Sequence, residues 1–97
     1  MYDIVYSEEA IADLGWFKKH EQNEILDRIE QQLRYEPNLE TRNRKHLRPN
    51  MIAEWELRIG DFRVLYNVDN QVLIVDVQRI GEKRGNAFFF QGRKDDL

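Results

Sequence analysis

Cysteine is absent from this 97-residue chain, which excludes disulfides, thiolate metal sites and cysteine nucleophiles. Histidine occurs twice, at His20 and His46, without metal-ligand spacing, so no metal site is expected. The five glycines form no phosphate-cradling loop and no serine stands in a hydrolase motif, so no small-molecule cofactor is expected either. No apolar run approaches the roughly 20 residues that cross a bilayer, which argues against a membrane partner. The opening Met1-Tyr2-Asp3-Ile4-Val5 has neither the basic stretch nor the apolar run of a signal peptide, and a cytoplasmic location is the expectation.

What is present suits a globular protein: 41% of residues are apolar and 34% charged. A domain of this kind has roughly 100–150 residues, so residues 1–97 should share one core, with a polar tail from Gly92 to Leu97 able to fray. The formal net charge is −3, but it is unevenly spread. Residues 1–40 carry ten acidic and four basic side chains, whereas residues 41–97 carry eight acidic and eleven basic. The second half could therefore face phosphates, although a solvated surface of mixed charge is the plainer account of any one run.

Alternation over Tyr2–Tyr6 predicts an opening strand, and Ser7 followed by Glu8 and Glu9 starts a helix expected to run to about Lys19. After the polar break at residues 20–23, Ile25, Ile29 and Leu33 mark a second amphipathic helix, ended near Tyr35 by Pro37. Arg42, Arg44, Lys45, His46 and Arg48 then form a basic loop, either a solvated connector or a phosphate contact. Strict alternation in Glu54–Ile59, the turn Gly60-Asp61 and a strand from Phe62 to Tyr66 predict a β-hairpin that pairs Trp55 with Tyr66, Leu57 with Val64 and Arg58 with Arg63. A further turn at Asp69-Asn70 leads into an apolar strand over 72–80 and would set Arg63 opposite Asp76.

This pairing sorts Trp55, Leu57, Ile59, Phe62, Val64 and Tyr66 onto a core face that covers the helix stripes, an α+β arrangement. The other face, with Glu54, Glu56, Arg58, Arg63 and Leu65, should be open and polar. Arg58 and Arg63 placed opposite each other favour an anion, supplied by an internal carboxylate or by a phosphate. Glu54 and Glu56 could act as a carboxylate pair or simply balance the arginines, and His46 could serve as a base. Phe88-Phe89-Phe90 reads first as packing at the core edge, with base stacking as the alternative.

The order strand, helix, helix, basic loop, then Glu54-Trp55-Glu56-Leu57-Arg58-Ile59-Gly60-Asp61-Phe62-Arg63-Val64-Leu65-Tyr66 resembles the RelE/ParE toxin superfamily across nearly the whole chain, and Arg79-Ile80-Gly81 is similar to its last strand. The resemblance implies an N-terminal strand and an antiparallel helical hairpin packed on one face of a mainly antiparallel four-stranded sheet. It also implies a type II toxin neutralised by a cognate antitoxin. The best-known branch cleaves mRNA on the ribosome without metal. On that pattern Arg63 would stabilise the transition state, and Lys83 and Arg84 would contact phosphate or protonate the leaving oxygen. Lys45, Arg48, Arg58 and His46 would bind RNA. Where that branch has two lysines this chain has Glu54 and Glu56, and its late tyrosine falls on Phe89, so Glu54, Glu56 or His46 would supply the base. Two other outcomes fit the family: a non-enzymatic poison of a protein target such as gyrase, and a scaffold that has lost activity.

Overall fold

Strand alternation builds the centre of the molecule around the hairpin of β3 (Trp55–Ile59) and β4 (Phe62–Asp69), closed by Gly60-Asp61 with Gly60 at φ 58°. The computed structural model describes residues 1–96. Its other elements are β1 (Asp3–Tyr6), α1 (Glu8–Trp16), α2 (Lys19–Leu33), β2 (Arg44–His46), β5 (Ile74–Arg84), β6 (Ala87–Phe90) and β7 (Arg93–Asp95). The sheet runs β2-β3-β4-β5-β6-β7 with antiparallel neighbours, and β1 lies parallel to the first part of β5. It is the expected α+β architecture, enlarged beyond four strands by the short β2, β6 and β7. The segment expected to fray supplies β7, paired to β6 through Phe90–Arg93, while Leu97 lies outside the described residues.

The β3–β4 register is the one that alternation predicts, including Arg58 opposite Arg63. The next register differs. The β4–β5 turn takes in residues 70–73, with Leu73 at φ 57°, and the pairing shifts between Leu65 and Tyr66. Arg63 therefore faces Gly81, and Asp76 faces Asn67, so the expected Arg63–Asp76 pair does not form.

The helices pack their apolar residues Ala10, Phe17, Ile25, Ile29 and Leu33 on Leu57, Ile59, Val64, Tyr66, Val75, Val77 and Ile80. Ser7 caps α1 by accepting the Ala10 N–H at 3.0 Å, but the helix stops at Trp16, earlier than expected, because Phe17 is extended. The polar residues 20–23 thus lie inside α2, where the Glu21 carboxylate accepts the Lys18 N–H at 2.9 Å.

The sheet face away from the helices is not open. Leu65, Ala53 and Phe90 are buried there in a second small core with Leu47, Ile52 and Phe88 against it. β6 approaches so closely that a Cβ on Gly81 would stand 2.5 Å from the Phe89 carbonyl oxygen, so a side chain at 81 would displace the strand. Between β1 and β6 the edge of β5 is closed by α1: Ser7 Oγ donates to the Gln78 carbonyl at 2.7 Å, and buried Asp13 accepts the Ile80 N–H at 2.9 Å. Asp13 also accepts from Arg79 Nε and Nη2 and from Gln91 Nε2, which satisfies its buried charge.

Candidate functional site

Strand alternation collects charge on the face away from the helices. Lys45 pairs with Glu56, and Arg58 lies two residues along the same strand, so all three project from one side. Glu82 pairs with core-facing Phe62, which turns Lys83 to that same charged side. These residues, with Arg48 from the loop after β2 and Phe88 from β6, line a cleft of about 700 Å³. Four cations surround one carboxylate, so the cleft is positively charged. Past Lys83 and Phe88 it adjoins a second hollow of about 510 Å³, lined also by Arg48, Lys94, Asp95 and Asp96.

Glu56 forms the cleft floor and is 2% exposed. It accepts a hydrogen bond from Arg58 Nε at 2.8 Å, and its other oxygen stands 3.8 Å from Arg63 Nε, too long for a hydrogen bond. Arg63 instead donates from Nη1 to the carbonyls of Gly60 at 2.6 Å and Phe62 at 2.9 Å. Its buried Nε has no hydrogen-bond partner. Burial lowers the Arg63 pKa, and Glu56 opposes that shift. Lys83 Nζ sits 5.5 Å from the centroid of the Phe88 ring, a cation–π contact at the cleft wall.

Of the residues singled out in the sequence, the cleft brings together Lys45, Arg48, Glu56, Arg58 and Lys83; His46 also borders it, but pairs with core-facing Trp55, which turns its ring to the helix side of the sheet. The His46 ring is edge-on to Trp55 at 5.1 Å. Arg63 lies behind Glu56 and Glu54 lies in the neighbouring hollow, so neither lines the cleft. Arg84 alternates to the helix side of the sheet, bonds Glu82 at 2.5 Å and covers the Phe89 ring at 4.8 Å. Its side chain therefore lies on the face of the sheet opposite to Lys83.

Phe88 and Asp13 were not assigned these places from the sequence, yet both left a signal. Gly85-Asn86 between two strand-like runs is a two-residue turn, and counting outward from it pairs Lys83 with Phe88. Asp13 stands among Ala10, Leu14 and Phe17 on an apolar helix face, where a carboxylate requires buried donors. Among the described residues, no three histidine, aspartate or glutamate side chains gather closely enough to hold a metal ion. In the same set, no helix is long and apolar enough to cross a membrane.

The fold is similar to that in the RelBE2 toxin–antitoxin complex of Mycobacterium tuberculosis, with a TM-score of 0.74, 23% identity and coverage of 84% of this chain and 91% of that one. It is similar also to the archaeal RelE–RelB complex of Pyrococcus horikoshii OT3, with a TM-score of 0.69, 22% identity and coverage of 89% and 98%. The intact Escherichia coli RelBE complex matches at a TM-score of 0.56, with 14% identity and coverage of 87% and 99%. At these identities the likeness concerns the fold. No curated sequence matches the chain. The family model described as the ParE toxin of the type II toxin–antitoxin system parDE matches residues 4–86, so the chain belongs to that family, within the RelE/ParE toxin superfamily.

Proposed function

We propose that this type II toxin poisons translation by cleaving mRNA on the ribosome, without a metal, in a cytoplasm where a cognate antitoxin holds it in check. The observation that carries the reading is the convergence of Lys45, Arg48, Arg58 and Lys83 on one cleft with an aromatic wall at Phe88. Cations arranged along a groove track a phosphate backbone, and an aromatic face stacks a base without demanding its identity. The antitoxin is supported by the three similar structures, each a complex of toxin and antitoxin.

In this reading the cations hold the phosphates on either side of the scissile bond, and Lys83 donates a proton to the leaving 5′-oxygen. Glu56 is committed to Arg58, Glu54 lies outside the cleft, and His46, paired with core-facing Trp55, turns its ring to the helix side, so the proton of the attacking 2′-hydroxyl passes to solvent or the ribosome rather than to any of these three. The second reading is a ParE-type poison of a protein target such as gyrase. It is favoured by the family model and by the internal engagement of Glu56 and Arg63, because binding alone requires no free acid or base. Purified toxin added to translating ribosomes with a defined mRNA, and in parallel to gyrase with relaxed plasmid, separates them. Cleaved mRNA with normal supercoiling supports the nuclease, and intact mRNA with blocked supercoiling supports the poison.

A further inference from the structure

Resting on the RNA reading of the cleft, we infer that Arg58, aimed by Glu56, is the arginine that contacts phosphate, and that Arg63 is the clamp of the β3–β4 turn. The two guanidinium groups are opposite each other in register but differ in what they can reach. Arg58 lines the cleft with 38% of its side chain exposed, and only its Nε is tied, to Glu56. Its two terminal nitrogens remain to meet a phosphate, for which a planar guanidinium is suited.

Arg63 is 12% exposed, lies outside the cleft lining and spends Nη1 on two carbonyls of its own turn. A phosphate approaching it would have to displace Glu56, which lies between Arg63 and the cleft as a buried anion. The position that a lysine holds in the mRNA-cleaving branch is here a carboxylate, and that exchange reassigns the neighbouring arginines. Glu56 draws Arg58 toward the cleft floor and compensates the charge of Arg63 beneath it. Glu56 is thus a positioning residue, not the base.

The test is the binding of a short oligouridylate by intact toxin at several salt concentrations, beside thermal melting of each variant. Arg58→Gln is expected to melt lower, because buried Glu56 loses its hydrogen-bonded cation, while staying cooperatively folded, and to lower the log–log salt slope by about 0.7, the loss of one single-strand phosphate contact. Arg63→Gln is expected to melt lower, on the order of 5 °C, with the slope unchanged; Arg63→Lys, which keeps the charge, serves if the glutamine variant fails to fold. Glu56→Gln removes a negative charge from a cationic cleft, so electrostatics alone would tighten binding. A positioning role predicts weaker binding instead. An undiminished slope in Arg58→Gln, together with its loss in well-folded Arg63→Lys, overturns the assignment while leaving the RNA reading intact. Tighter binding by Glu56→Gln overturns the positioning role. A wild-type toxin without salt-dependent RNA binding overturns the RNA reading and the role of Arg58 together.

Discussion

Asp13 on α1 and Arg79 on β5 stand 66 residues apart in sequence and are joined by two hydrogen bonds of 2.7 and 3.0 Å. The same carboxylate holds the Ile80 amide and the Gln91 side chain, so one buried charge ties the first helix to the sheet edge and to the C-terminal hairpin. Arg79 in turn covers the Phe90 ring at 4.3 Å, and its pKa is raised chiefly by the hydrogen bond to Asp13. Asp13→Ala leaves those donors unpaired and is expected to cost about 3–5 kcal/mol in denaturant unfolding. A loss below about 1 kcal/mol, the size of a surface pair, would show that water replaces the carboxylate without penalty.

Leu57 is fully buried between the helices and the sheet. Leu57→Ala should cost about 2–5 kcal/mol, a large part of the stability of a domain this size. Toxicity should fall with the folded fraction, and a lowered temperature that restores folding should restore toxicity. Toxicity that stays absent in fully folded protein would place Leu57 in the function itself.

The hairpin register was legible because polar and apolar residues alternate without a break from Glu54 to Ile59, and a two-residue turn fixes the count. The next pairing was not legible. A shift between Leu65 and Tyr66 and a turn through residues 70–73 both change the count, and neither leaves a mark in residue type. Alternation leaves the far face open, apart from apolar Leu65, because its cover comes from Ala53 and Phe90, which strand periodicity does not connect to it. Charge patterning marked Lys45, Arg48, Arg58 and Lys83 as candidates, and the sheet gathers all four. Charge alone does not show that Arg58 and Lys83 line the cleft while Arg63 and Arg84 do not, because that depends on strand register and on which side chain the fold already engages.

Tyr66 supplies a pH prediction. Its buried hydroxyl donates to the Pro37 carbonyl at 2.7 Å, and burial raises its pKa above the ordinary 10.0, with Arg44 pulling the other way. Tyr6 shifts in the same direction, first by burial and then through Glu30. The folded state holds these protons more tightly than the unfolded chain, so their contribution is complete below pH 10 and is lost as the pH rises beyond it. Stability measured by denaturant should fall above pH 10. Tyr66→Phe should lower stability at neutral pH by about 1–3 kcal/mol, through the unpaired carbonyl, and make the alkaline fall shallower. An unchanged alkaline profile in that variant would assign the fall to other groups.

Lys83 is the cleft cation whose loss should separate function from folding. Its contact with Phe88 is worth about 0.5–1 kcal/mol, so Lys83→Ala should melt within a few degrees of the wild type. If it protonates the leaving oxygen, cleavage should drop by roughly two to three orders of magnitude, as for loss of one preorganised donor. Full toxicity in folded Lys83→Ala would remove Lys83 from the chemistry.

Whether the cationic cleft is the surface with which this toxin cuts mRNA is read out by mapping the ends of a defined mRNA after incubation with the purified toxin, with and without translating ribosomes. Discrete new ends are expected that require ribosomes and disappear when Lys45 and Lys83 are both replaced by alanine in a protein that still melts cooperatively. Intact mRNA under the same conditions, from a toxin that arrests growth and blocks supercoiling by gyrase, would contradict that role of the cleft.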